Sequence, residues 1–207
     1  YFKENKSKCS NYAYQLMNEA LATALGNGYV YGKLDGQIDS GDWYNKKYIN
    51  LMAKQIYPLV TEYIDQKKPM DKNFIDNYIS LYETNFPEWI NELNNIMSYR
   101  YVLTENAEDI NAIRKLYRYR SRTEEEYEIT KSSIEKMKKT SLTKVIIISK
   151  NNSEKIKLLK SEFAELKNWK VNANQEFAHK ILLDDKSQLI VLNQKNSTIE
   201  ELFKSIK

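Results

Sequence analysis

The chain has 207 residues, 42% of them hydrophobic and 29% charged, and a net charge of +4. That suffices for one large domain or two small ones, and no apolar run approaches the ~20 residues that cross a bilayer. One cysteine, Cys9, and one histidine, His179, exclude a disulfide framework and any zinc site built from several cysteines. No metal or cofactor is expected.

The first residue is Tyr1. The opening YFKENKSKC reads as a polar, frayed terminus left by removal of an upstream segment. The alternative is the flank of a cleaved targeting segment or membrane anchor. A cytoplasmic location is preferred, although one thiol also suits a membrane-tethered extracytoplasmic domain.

In chain order, CSNYAYQLMNEALATALGNG reads as a helix stopped by Gly26 and Gly28. GNGYVYGKLDG (26–36) then reads as a flexible loop. It lacks the strand before and the Ser or Thr after Lys33 that a phosphate loop requires. Asp42 suits the N-cap of a helix carrying Tyr44, Tyr48, Leu51, Ile56, Leu59 and Tyr63, which Pro58 should kink or restart. Asp71 caps a helix with Phe74, Tyr78 and Leu81. Pro87 opens another with Ile90, Leu93 and Met97. Asn106 caps the next, with Ile110, Ile113 and Tyr117 inward.

All 16 tyrosines lie at or before Tyr127, and all five arginines lie between Arg100 and Arg122. Beyond them the hydrophobic period changes. KVIIIS (144–149) has the β-branched run of a buried strand, and Ser153 starts a helix with Ile156, Leu159, Phe163 and Leu166. WKVNA, HKILLD and QLIVLN read as strands, the last two joined by a turn at Asp185-Lys186-Ser187. Ser197-x-x-Glu200 reads as a capping box for a final helix. The expected class is therefore α+β. A helical domain covers 1–140, and a small α/β domain of order β-α-β-β-β-α covers 141–207 and packs on the helices.

His179 with Asp184 and Asp185 looks like an acid–base pair. In a strand, however, His179 and Asp184 sit about 16 Å apart and on opposite faces. His179 is thus read as a strand-end residue, Asp184–Asp185 as a turn, and any acid partner must come from elsewhere. The strand–helix–strand followed by a strand opening with His is similar to one lobe of the phospholipase D-like fold. That family carries H-x-K-x-x-x-x-D and then G-S-x-N. Aligned on His179, Ile181 stands where its lysine belongs and Lys186 where its aspartate belongs, and of the later motif only the asparagine has a counterpart, Asn193. What the resemblance implies is a degenerate, non-catalytic lobe or half of a dimer site.

RKLYRYRSR (114–122), preceded by YRY (99–101), is the stronger signal. Elsewhere the chain uses lysine for its positive charge, so Arg100, Arg114, Arg118, Arg120 and Arg122 suggest a need for the planar guanidinium fork. With Tyr117 and Tyr119 between them, they resemble an aromatic and basic surface for single-stranded nucleic acid. On a continuous helix Arg114, Arg118 and Arg122 share one arc and Arg120 falls on the apolar stripe, unless the helix breaks and Thr123-x-x-Glu126 caps a new one. Glu124, Glu125, Glu126 and Glu128 follow at once, so an internal ion network competes with a partner site.

These readings leave three functions. The first is a non-enzymatic interaction or regulatory protein whose helical region binds a protein partner. The second is a nucleic-acid or phosphate binder using Arg100 and Arg114–Arg122. The third is a hydrolase or phosphodiesterase using His179.

Overall fold

The computed structural model describes residues 1–206. The protein is α+β, and it divides into two compact units, Tyr1–Ile90 and Asn91–Lys207. Composition placed the boundary near residue 140. The difference arises because residues 99–126 supply two strands to the sheet of the second unit.

The first unit is helical: α1 (Ser10–Thr23), a π-helical turn (Ala24–Val30), α2 (Tyr31–Asp35), α3 (Lys47–Asp65) and α4 (Lys72–Asn85). Asp71 caps α4 as expected, its carboxylate accepting from the Phe74 amide at 2.9 Å. Asp42 caps nothing. It accepts from Asn50 Nδ2 at 2.7 Å, and Asn50 Oδ1 in turn accepts from the Trp43 amide at 2.8 Å. That brace holds the loop while α3 begins later, at Lys47. Pro58 lies inside α3 without ending it. The ring is exposed, while Met52, Ala53, Ile56, Val60 and Tyr63 bury the opposite face and hold the helix through the missing hydrogen bond.

The glycine-rich stretch is helical rather than a loop, and the reason is close packing. A Cβ on Gly28 would stand 2.5 Å from Tyr57 Cδ2 and 3.0 Å from the Trp43 ring. Glycine lets this turn press onto α3. Only Gly36, with φ of 76°, uses left-handed freedom, ending α2 as its C-cap. The core of the unit is aromatic. Trp89 is 1% exposed, with ring centroids of Tyr82, Tyr12 and Tyr48 at 4.8, 5.7 and 5.8 Å.

The second unit contains α5 (Leu93–Ile96), β1 (Tyr99–Leu103), α6 (Ala107–Leu116), β2 (Arg122–Glu126), α7 (Lys131–Lys138), β3 (Thr143–Ile148), α8 (Asn152–Glu162), β4 (Phe177–Leu182), β5 (Gln188–Asn193) and α9 (Ile199–Lys204). The strand order is β2-β1-β3-β5-β4. β2, β1, β3 and β5 are parallel, and β4 closes one edge antiparallel to β5. The Val- and Ile-rich β3 and β5 are buried along their whole length, as a sheet covered on both faces requires.

Ile134 and Met137 of α7 and Ile156 and Leu159 of α8 pack with Tyr101, Leu103, Ile146, Ile148, Leu189 and Val191 on one face. The β1–α6–β2 and β2–α7–β3 connections run in opposite directions along the sheet. Right-handed crossovers therefore send α6 to the other face, where it packs with α9 and sets Tyr117 5.2 Å from Phe203.

Other expected elements differ as well. WKVNA is not a strand; Asn193 Nδ2 binds the carbonyls of Ala173 and Gln175 at 3.1 and 2.6 Å, replacing a ladder. The segment thought to begin a helix at Thr123 is β2, an edge strand kept from further pairing by its carboxylates. The final capping box is Thr198-x-x-Glu201, one residue later than expected.

Candidate functional site

The expected arginine arc does not form. α6 ends at Leu116, and residues 117–121 are irregular, so Arg114 alone stays on the helix. Arg114 pairs with Glu125 at 2.8 Å, and Arg122 pairs with Glu124 at 2.6 Å. Arg118 and Arg120 are exposed and form no ion pair among the described residues. Tyr119 is 67% exposed, whereas Tyr117 is half-buried, its hydroxyl pushed up to about 12 by burial. Arg120 is not on an apolar stripe, because no helix carries it.

Arg100 stands apart. It is 0% exposed on β1, and its Nη1 donates to the carbonyls of Met97 at 2.6 Å and Tyr117 at 3.3 Å. Burial, aided by the repulsion of Arg120, pushes its guanidinium down to about 10. Nothing in YRY distinguishes this arginine from the other four. A signal existed only in the alternation Tyr-Arg-Tyr-Val-Leu, which suits a strand.

His179 lies within β4 rather than at its end, stacked on Trp169 at 4.8 Å with 29° between the planes. Burial lowers its basicity, and it pairs with no carboxylate among the described residues. Asp184 and Asp185 do form the turn, with Lys186 at φ 61°. Asp185 accepts instead from Lys144 Nζ at 3.2 Å and Ser187 Oγ at 2.5 Å.

Lys144 Nζ is 2.6 Å from Ser187 Oγ, and burial lowers the lysine's basicity. This superficially resembles a serine nucleophile with its lysine base. Yet Ser187 is 0% exposed and already donates to Asp185, and Lys144 also donates to the Thr140 and Leu142 carbonyls. The network fixes the hairpin to the start of β3. Sequence reading passed over Lys144, although a lysine opening a buried VIII run signals a paired charge.

The carboxyl ends of β1 and β3 form the switch point of the sheet, since α6 and α8 leave them toward opposite faces. Lys155 and Glu105 form a close ion pair there. Asp109 binds Thr104 Oγ1 at 2.5 Å, and Asn152 bridges Asn193 and Lys195 at 2.7 and 2.9 Å. These polar groups bind one another, the Thr104 hydroxyl included, and among the described residues no phosphate loop joins them. Among the described residues no group of three or more metal-ligating side chains converges.

Glu176 fills a cradle of three consecutive amides beyond β5. Its Oε1 accepts from Lys195, Asn196 and Ser197 at 2.8, 3.2 and 3.0 Å, and its Oε2 accepts from Ser197 Oγ at 2.6 Å. The Ser197 hydroxyl first, then the amides, pull its pKa from the usual 4.5 to about 2. A depressed carboxylate stabilises the fold above its unfolded pKa and ceases to do so as pH falls through its folded one. Glu176→Gln should therefore cost about 1 kcal/mol at neutral pH, solvent screening included, and flatten the loss of stability between about pH 5 and 2. Urea titrations across that range measure both, and an unchanged acid limb contradicts the assignment.

In the first unit, the turn pressed onto α3 leaves an apolar outer side. Ala24 and Gly28 face inward. Leu25, Val30, Tyr31, Leu34 and Ile38 are 40, 49, 43, 84 and 52% exposed. Five of the ten exposed large hydrophobic residues among those described thus fall within residues 25–38, the kind of exposed apolar concentration that calls for an explanation. Val30 lies five residues beyond Leu25 in the π-helical turn and four before Leu34, so the three share one side.

Comparisons of the chain with protein families, with curated proteins and with solved structures find no match.

Proposed function

We propose that the protein is a non-enzymatic interaction protein whose helical unit binds a protein partner through the outer side of residues 25–38. The exposure of Leu25, Val30, Tyr31, Leu34 and Ile38 together carries the reading. Supporting it, the turn packs closely on Trp43 and Tyr57 at Gly28, and apolar side chains presented from a close-packed base lose less entropy on binding. His179, which has no acid partner among the described residues, and the Lys144–Ser187 network, whose serine is 0% exposed, offer little competing catalytic chemistry.

The double variant Val30→Ser, Leu34→Ser tests this. Both side chains are exposed, so the melting temperature should stay within about 2 °C of wild type. A protein captured from native, nuclease-treated lysate by the wild type should be lost from the variant. Equal capture by both, or capture of nucleic acid alone, refutes the reading.

A further inference from the structure

We infer that the second unit, independently of the surface above, binds a small oxyanion, a carboxylate or a phosphate, on the buried guanidinium of Arg100. Nη1 is occupied by two carbonyls, but Nε and Nη2 are buried and meet no acceptor among the described residues. These two groups form one edge of the guanidinium. Their parallel N–H bonds match two oxygens of a carboxylate or phosphate in a bidentate pair. A structural role explains only Nη1.

Thr123 adds a second group. It is the register partner of Arg100 across β1 and β2, and so projects to the same face. Its Oγ1 is also buried without a hydrogen-bond partner. A fork and a hydroxyl side by side supply three donors for one ligand, since the hydroxyl can rotate its hydrogen toward an acceptor.

Charge points the same way. Arg120 and Arg114 lie close enough to repel Arg100, whereas Glu125 is the carboxylate that attracts it. Glu125 is itself held by Arg114 at 2.8 Å. Three guanidinium groups thus face one carboxylate, and a buried cation lacking its counter-charge is unfavourable by several kcal/mol. A bound anion removes that imbalance.

Size follows from burial. Residues 117–121 lie over Arg100: the Tyr117 carbonyl accepts from Nη1, and the Ser121 and Arg122 amides bind the Ser98 carbonyl at 2.9 and 3.2 Å. A phosphate in a nucleic-acid strand cannot reach a fork that is 0% exposed, whereas a free ion reaches it when this irregular strap lifts. The exposed Arg118 and Arg120 on the strap attract such an ion.

The test uses the full chain with sodium phosphate, sodium succinate, or sodium chloride at matched ionic strength. Wild type should show a saturable rise in melting temperature with phosphate or succinate beyond the chloride control, because a ligand bound only by the folded state stabilises it by mass action. The arm that responds identifies the oxyanion. Arg100→Lys keeps the charge but loses the fork, and should weaken binding in calorimetry by about tenfold or more. Thr123→Val should weaken it less, and it carries the test if the lysine variant fails to fold. The inference is overturned if neither anion exceeds chloride. It is equally overturned if the folded variants bind as wild type does.

Discussion

Lys144→Ala destabilises the sheet unit by about 3–5 kcal/mol, the loss typical of breaking a buried charged pair. The ammonium is held at 1% exposure by four acceptors from two segments: the Thr140 and Leu142 carbonyls, Asp185 and Ser187. Removing it strands these oxygens together and leaves a void where the stem ran. Asp185 loses most. Burial raises its pKa, and the Ser187 hydroxyl, Lys144 and the Ser187 amide together turn the balance to a net depression. Lys144→Met separates the two contributions. It keeps the stem's volume and removes only the donor, so it should cost about 1–3 kcal/mol. Urea unfolding followed by Trp169, the one tryptophan after Trp89 in the chain, gives both values. An alanine variant within 1 kcal/mol of wild type means that the network does not hold the hairpin.

Trp89→Ala costs the helical unit a similar about 3–5 kcal/mol. The indole is 1% exposed and touches Tyr12, Tyr48 and Tyr82. Those rings arrive from α1, α3 and α4, so one side chain ties three helices. Edge-on and tilted aromatic pairs add about 0.5–1.5 kcal/mol each beyond area burial. Trp89→Phe keeps part of that geometry and should recover about half of the loss. Denaturation followed by far-ultraviolet circular dichroism checks the order wild type, then Phe, then Ala. Equal midpoints for the two variants would show that ring geometry contributes nothing.

Hydrophobic period exposed those elements whose side chains face one environment along their length. β3 was plain as a Val and Ile run, β5 as the apolar run Leu-Ile-Val-Leu, and α4 by its spacing and its Asp71 cap. β2 was hidden because Arg-Thr-Glu-Glu-Glu has the composition of a solvated helix, and only pairing with β1 makes it a strand. β1 was hidden inside what looked like a basic patch. The glycine-rich turn misled for a different reason: glycine signals freedom in a sequence, whereas at Gly28 it provides room for Tyr57 and Trp43. At the candidate sites, residue type was legible but burial was not. Five arginines stood out together, yet pairing with Glu124 and Glu125 separates Arg122 and Arg114 from Arg100, whose fork has no such partner among the described residues. That distinction depends on which element each occupies: β1 for Arg100, α6 for Arg114 and β2 for Arg122.

The parallel sheet also sets a timetable. β3 lies at its centre and pairs with β1 and β5, whose partner residues lie more than forty positions away along the chain in both directions. Such non-local pairing is slow beside the local contacts of a helical unit. During synthesis β1 is already present when β3 appears, but β5 follows about 2–9 s later at usual translation rates. Throughout that interval TKVIII offers one unpaired edge and a β-branched apolar run, the composition that seeds aggregation. The lysines that crowd the intervening α8 segment, at positions 150, 155, 157 and 160, keep the nascent chain charged until β5 arrives to close that edge.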